Sequence, residues 1–159
     1  MAHLRPRQRG LRCGRRSETR RIYLVTTCTY ADRTIFGCLI CGSIVAEEIQ
    51  RQDSLGATET MAYAVMPDHL HWLFELRPAQ SLESVVAQMK GRSALRINKA
   101  RGCAGRIWQP GFHDRAVRAT DQLRRYGDYV VHNPVRAKLV ERPEHYPLTY
   151  AVWWQRKTT

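Results

Sequence analysis

The chain has 159 residues, of which 43% are hydrophobic and 25% are charged. That length suits one domain with a substantial core, and the composition is typical of a globular protein. No apolar run approaches the ~18 residues that a membrane-spanning helix needs. The first 21 residues also lack the apolar core of a secretory signal. We therefore predict a cytoplasmic protein with no membrane partner.

Positive charge is the main feature of the composition. The net charge is +12, from 22 Arg and 4 Lys against 14 acidic residues. Such a basic domain is typical of proteins that bind a polyanion, although an Arg-rich composition equally fits a GC-rich genome. Residues 1–20 are interpreted as a flexible basic arm, because the first 21 residues include eight Arg and one Glu. A single domain over 21–152 and a tail over 153–159 complete the predicted organisation.

The first half of the domain reads as strand, helix, strand, strand. The stretch RIYLVTTCTY (21–30) is rich in β-branched and aromatic residues and predicts a strand. Apolar residues recur at helical spacing over about 38–52. Two further strands are predicted at about 59–66 and at 69–76, joined by the turn pair Pro67-Asp68.

The second half continues with helix, strand, helix. Ser81 begins a segment with helical periodicity that runs to residue 100. A possible fourth strand covers 112–119. A third helix starts at Thr120 or Asp121 and ends close to Asn133, because Pro134 disfavours helical backbone in the residue before it. The order β–α–β–β–α–β predicts an α+β, ferredoxin-like split βαβ antiparallel sheet with helices on one face and an added C-terminal helix.

The five cysteines indicate reduced thiols, because their number is odd and their spacing gives no disulfide framework. Cys38 and Cys41 form the one CxxC motif. A zinc site would need a second ligand pair, and the motif falls at the start of a predicted helix, so packing is the preferred interpretation.

The stretch MPDHLHWLF (66–74) contains two histidines in an apolar run. Strand alternation places Leu70, Trp72, Phe74 and Leu76 on one face, and His69 and His71 on the other with Leu73 and Glu75. The Cα atoms of the two histidines then lie within ~7 Å of each other, close enough to share one metal ion. An HxH pair on a strand is nevertheless a weak signal without a third ligand.

The third predicted helix supplies candidates for the missing groups. Tyr129 and Asn133 are four residues apart and share a helical face. If that face covers the histidine face of the sheet, Asn133 completes a metal site that suits Mg²⁺ or Mn²⁺, and Tyr129 lies beside it. His132 is a rival third ligand. The alternative is that Tyr129 is a core aromatic residue and Asn133 only ends a helix before proline.

These stretches resemble a known family. MPDHLHWLF resembles the HUH motif of single-tyrosine transposases, and YVVHNPVRAKLV, preceded by WQPGFHDRAVR, is similar to the segment that marks REP-associated tyrosine transposases. The resemblance covers most of residues 21–150. It implies that His69 and His71 bind the metal, that Tyr129 is the nucleophile and that Asn133 is the polar ligand on its helix. Tyr126, one turn earlier, is the competing nucleophile.

The resemblance also implies an activity. The expected reaction is cleavage and rejoining of single-stranded DNA near a REP-like hairpin, through attack by the tyrosine on a phosphodiester and a 5′-phosphotyrosine intermediate. The protein would act as a monomer or a homodimer. Two alternatives remain: a ferredoxin-like module that binds nucleic acid without catalysis, and a metal-dependent hydrolase that uses water. Expected phosphate contacts are Lys90, Arg92, Arg96, Arg115, Arg118 and Arg136.

Overall fold

The computed structural model describes residues 21–78, 80–118 and 120–157. The predicted basic arm, residues 1–20, lies outside the described residues. Within those ranges, every helix is too short or too polar to cross a lipid bilayer. The strands and helices are β1 (Ile22–Cys28), α1 (Leu39–Ser54), β2 (Thr58–Val65), β3 (His69–Leu76), α2 (Leu82–Arg101), β4 (His113–Val117), α3 (Thr120–Val131), α4 (Asn133–Arg136) and β5 (Thr149–Ala151).

The strands form one antiparallel sheet in the order β4-β1-β3-β2-β5. The first four strands have the connections of a split βαβ fold, so the ferredoxin-like prediction is confirmed. The strand that carries the two histidines, β3, lies at the centre of the sheet and has the bounds predicted from the sequence. The sequence prediction missed β5, which is only three residues long and adds to the edge of β2.

The two faces of the sheet carry separate cores. The larger core lies under α1 and α2 and includes Leu70, Trp72, Phe74 and Leu76 from β3, as alternation predicted. The smaller core lies on the opposite face, where Leu73 packs with Val130 and Val131 of α3. Apolar side chains of α3 therefore attach it to the face of the sheet that also bears the histidines.

The third predicted helix ends close to Asn133, as expected, but the chain does not leave helical structure there. Helix α3 ends at Val131, and a new short helix begins at Asn133 with Pro134 in its first turn. Proline has no backbone N–H, so it interrupts a continuing helix but fits the first turn of a new one, where that N–H has no helical partner. A second helix therefore begins at the Asn133-Pro134 pair.

The predicted C-terminal tail, residues 153–159, overlaps a structured segment in the described ranges. Residues Val152–Lys157 form a 3-10 helix, and the rings of Trp153 and Trp154 pack against the smaller core. A Cβ atom added to Gly127 of α3 would lie 2.5 Å from the ring of Trp153. The indole therefore occupies the space beside α3 that only a glycine leaves open.

The thiols in the described ranges are all free: Cys28, Cys38, Cys41 and Cys103. Cys38 precedes α1 and is exposed, whereas Cys41 is buried in the larger core. The burial of Cys41 agrees with the packing interpretation of the CxxC motif.

Candidate active site

The two histidines of β3 lie side by side on the sheet face that α3 partly covers. Their ring centroids are 4.8 Å apart and the rings are nearly perpendicular. His71 is paired with Thr26 of β1 in the sheet, and His69 is paired with Cys28. The central position of β3 fixes the backbone of both residues by hydrogen bonds on both sides.

Each histidine ring is oriented through its Nδ1 atom. His69 Nδ1 is 2.6 Å from the carboxylate of Asp68, and His71 Nδ1 is 3.0 Å from the hydroxyl of Thr26. In the described part of the chain neither Nε2 atom has a hydrogen-bond partner, so both remain available to a ligand. A carboxylate or hydroxyl on the second ring nitrogen is the usual support of a metal-bound histidine.

His71 is held in its neutral form. It is only 6% exposed, and burial, reinforced by the neighbouring His69 and Arg136, lowers the pKa of His71 to about 3. Neutral imidazole is the form that binds metal ions. The environment of His71 therefore suits a ligand rather than a proton donor.

Helix α3 brings Tyr129 to the histidine pair. The centroid of the Tyr129 ring is 5.4 Å from that of His71, and the two rings meet edge to face. Tyr129 is 43% exposed, while Val130 and Val131 beside it are buried. The alternative that Tyr129 is a core residue is thus wrong, because the apolar stripe of α3 is formed by its neighbours.

Asn133 joins the same group through the restart of the helix. Its amide nitrogen donates a 3.0 Å hydrogen bond to the backbone carbonyl of Tyr129. That contact uses the amide nitrogen and leaves the amide oxygen, the atom that can bind a metal ion, without a partner in the described ranges. The amide oxygen of Asn133 therefore remains available to a ligand.

The donor set fits a divalent cation. Two imidazoles and an amide oxygen are acceptable ligands for Mn²⁺ or Mg²⁺ when water and phosphate oxygens fill the remaining positions. No group of three His, Cys, Asp or Glu side chains with metal-binding geometry occurs in the part of the chain that is described. A metal site here would consequently depend on the amide of Asn133 in addition to His69 and His71.

The rival residues have other contacts. His132 is exposed, and its Nδ1 atom lies 2.8 Å from the carbonyl of Asp128 in the preceding helical turn. Tyr126 packs against the smaller core, and its hydroxyl accepts a hydrogen bond of 3.4 Å from Arg115. In the described chain, Tyr129 is the tyrosine whose ring contacts the histidine pair.

Three of the expected phosphate contacts are engaged within the protein. Lys90 donates to the carbonyls of Gln109 and Gly111, at 2.7 and 2.5 Å. Arg92 and Arg96 bind the carboxylate of Glu48, which is 2% exposed, at 3.0 and 2.8 Å. These three side chains stabilise the α1–α2 side of the molecule, which is the face opposite to the histidines.

Two of the other three arginines lie on the side of the histidines. Arg115 contacts Tyr126 of α3, and Arg136 lies over the ring of Tyr129. Arg118 is exposed just beyond β4, and its backbone N–H donates a hydrogen bond to Gln122 of α3. The structure thus separates basic residues that are engaged on the α1–α2 side from others near α3, which the sequence alone did not do.

The sequence prediction missed two supporting residues. Asp68 had been assigned only to a turn, and Thr26 only to a strand, yet each one orients a histidine ring. The carboxylate directly before the first histidine was the available signal for Asp68. Thr26 has no comparable signal, because its position opposite His71 depends on strand register.

Comparisons with known proteins identify a transposase family. The family profile described as transposase, IS200 like, matches residues 22–133, which include both histidines, Tyr129 and Asn133. Two relatives are described as REP-associated tyrosine transposases. The one from Escherichia coli is 29% identical over 92 residues, covering 57% of this chain and 53% of the relative. The one from Haemophilus influenzae is 26% identical over 99 residues, covering 56% of each chain.

The fold is also similar to that of solved proteins. A REP-associated tyrosine transposase bound to a REP hairpin superposes with a TM-score of 0.71 at 22% identity, covering 94% of this chain and 82% of that one. A transposase from Deinococcus radiodurans gives a TM-score of 0.53 at 20% identity, over 72% of this chain and 95% of that one. The matched region spans little more than half the length of the two sequence relatives. Because the family profile covers most of the domain, including all four candidate site residues, the chain belongs to the IS200-like transposases.

Proposed function

We propose that this protein cuts and rejoins single-stranded DNA beside a hairpin, with Tyr129 as the nucleophile. The observation that carries the proposal is the contact between Tyr129 and His71, with ring centroids 5.4 Å apart on a face shared with His69. The family supplies the class of reaction, and the relative bound to a REP hairpin supports a hairpin substrate.

In the proposed reaction Tyr129 Oη attacks the phosphorus of a DNA phosphodiester. A new P–Oη bond forms as the P–O3′ bond breaks, the phenol proton passes to solvent, and the departing 3′ oxygen takes up a proton. The 5′ end of one fragment is then attached to the protein, and the other fragment ends in a 3′ hydroxyl. Because the link is still a phosphodiester, attack by a 3′ hydroxyl reverses the step without an external energy source.

We infer that His69, His71 and Asn133 hold Mg²⁺ or Mn²⁺. When bound, the cation would withdraw charge from the non-bridging oxygens of the phosphate. Asp68 and Thr26 keep the two imidazoles in the orientation that exposes Nε2. The amide nitrogen of Asn133 donates a hydrogen bond to the backbone carbonyl of Tyr129, so one of the proposed metal ligands is tied directly to the proposed nucleophile.

DNA binding is proposed for Arg115 and Arg118. They lie on β4 and just beyond it, next to α3. Because neither has an acidic partner in the described ranges, we propose that both contact DNA phosphates. All the residues of the proposed site belong to one chain.

The test uses a hairpin oligonucleotide with a single-stranded flank, incubated with protein and Mg²⁺ or Mn²⁺. With a 3′ label, a labelled protein adduct that survives denaturant is expected; with a 5′ label, a shortened free product is expected. Tyr129→Phe should abolish both products while binding persists, because the phenol oxygen alone is removed. Tyr126→Phe is the matched control and should retain the adduct.

Each alternative predicts a different outcome. Cleavage without an adduct would identify water as the nucleophile, and binding without either product would identify a non-catalytic module. An adduct formed by Tyr129→Phe would overturn the assignment of the nucleophile.

A further inference from the structure

The backbone carbonyl of Tyr129 holds two side chains at once. It accepts a 3.0 Å hydrogen bond from the amide of Asn133 and a second hydrogen bond from the guanidinium of Arg136. The helix break makes this possible, because α3 ends at Val131 and α4 starts at Asn133. A carbonyl near the end of a helix needs such partners from outside the regular ladder.

Arg136 also covers the ring of Tyr129. The guanidinium carbon lies 4.5 Å from the ring centroid, within the range of a cation–π contact. Among the described residues, the other ring contact of Tyr129 is the edge-to-face approach to His71. Because Tyr129 is 43% exposed, no surrounding core fixes the direction of its side chain. Its orientation therefore depends on these two neighbours.

Arg136 is suited to this task by the shape of its side chain. A guanidinium is a flat fork that can donate from its edge while its face lies on an aromatic ring, and here it makes both contacts with one residue. A lysine ammonium can replace either contact but has no planar face to stack. The contacts thus depend on the guanidinium group and not on positive charge alone.

We propose that Arg136 is a positioning residue, which fixes the direction of the Tyr129 phenol for attack on the phosphate, rather than one of the residues that give the protein its affinity for DNA. This inference rests on the proposed function of Tyr129. It separates two quantities: the rate of the covalent step depends on Arg136, whereas the dissociation constant of the DNA complex does not.

The experiment compares Arg136→Gln and Arg136→Lys with the wild type and with Arg51→Gln. Arg51 is an exposed arginine of α1, on the opposite side of the sheet, so its substitution removes the same charge without touching Tyr129. DNA affinity is measured with EDTA present over a range of salt concentrations. The rate of adduct formation is measured separately, in single-turnover reactions with Mn²⁺ and saturating protein.

For Arg136→Gln we expect a ~10–100-fold lower rate of adduct formation, because misdirection of a reacting group by about 1 Å costs on the order of 100-fold. Its dissociation constant should match that of Arg51→Gln, and so should its salt slope, which is the slope of the logarithm of the binding constant against the logarithm of the salt concentration. Arg136→Lys should recover part of the rate. Thermal melting of both variants verifies the fold. If the melting temperature of Arg136→Gln is lowered, the rate and the dissociation constant of Arg136→Lys are compared with those of the wild type instead.

The opposite pattern would refute the inference. A phosphate contact predicts weaker binding and a salt slope reduced by about one, with an unchanged rate at saturation. If the wild type itself formed no adduct, the proposed function would fail, and that result is distinct from a normal rate in Arg136→Gln.

Discussion

At the scale of single residues, the candidate metal pair is prepared by its neighbours. Asp68 and Thr26 each occupy the Nδ1 side of one histidine, and His71 is kept neutral by burial. Both rings therefore present Nε2 before any ligand arrives. Such preorganisation reduces the side-chain ordering that binding would otherwise require.

The contact between Asp68 and His69 leads to a prediction for metal affinity. Asp68→Ala should weaken Mn²⁺ binding ~10–100-fold, the usual effect of removing a carboxylate that supports a metal-binding histidine. Calorimetric titration with Mn²⁺ measures the affinity. Asp121→Asn, which removes an exposed charge from the first turn of α3, is the control. Equal affinities in the two variants would show that Asp68 gives His69 no support.

The candidate residues themselves were accessible from the sequence, but their supports were only partly so. Alternation along HLHWLFEL places His69 and His71 away from the larger core, and a spacing of four residues links Tyr129 to Asn133. Thr26 and Arg136 acquire their roles from strand register and from the helix restart at Pro134. Neither arrangement follows from residue spacing.

At the scale of elements, the position of α3 decides whether a site exists. Val130 and Val131 pack against Leu73, and Trp153 lies against Gly127. The sequence predicted the helix and its polar residues, yet not the sheet face that it would cover. That choice of face depends on packing with residues distant in the chain, including the C-terminal 3-10 helix that had been assigned to a tail.

The contact between Gly127 and Trp153 leads to a prediction for α3. Gly127→Ala should lower the free energy of unfolding by about 1–3 kcal/mol, because the added methyl group overlaps the indole ring. Gly91→Ala is the matched control, since an added Cβ there has no neighbour within 4 Å. It should stabilise α2 by about 0.5–1 kcal/mol.

Urea unfolding of the two alanine variants measures both effects. Equal stabilisation by Gly127→Ala and Gly91→Ala would show that the space beside α3 is open. That result would show that the packing of Trp153 against Gly127 does not stabilise α3.

At the scale of the whole molecule, charge is divided between the two faces of the sheet. On the α1–α2 side, Arg92 and Arg96 neutralise the buried Glu48. Near α3, Arg115 and Arg118 have no acidic partner among the ion pairs of the described ranges. Composition correctly indicated a basic protein, but only the fold distinguishes structural arginines from those available to a polyanion.

This division predicts different results for two double variants. Arg92→Gln with Arg96→Gln should lower the free energy of unfolding by about 1–3 kcal/mol, because Glu48 would be left buried without a charged partner. The salt dependence of DNA binding should stay unchanged. Arg115→Gln with Arg118→Gln should instead reduce the salt slope by about two, with little loss of stability.

Fluorescence anisotropy over a salt series, together with urea unfolding, measures both quantities. A reduced slope for the Arg92 and Arg96 pair would place DNA on the α1–α2 side and contradict the proposed binding face.

The separation of His71 and Tyr129 along the chain has a consequence for the order of events during synthesis. The ribosome makes both histidines first, then β4, then the helix that carries Tyr129, and only later the ring of Trp153 that packs beneath that helix. A growing chain therefore carries its two imidazoles well before it can place Tyr129 over them. By this order, the proposed cutting of DNA would be among the last abilities that the folding domain acquires.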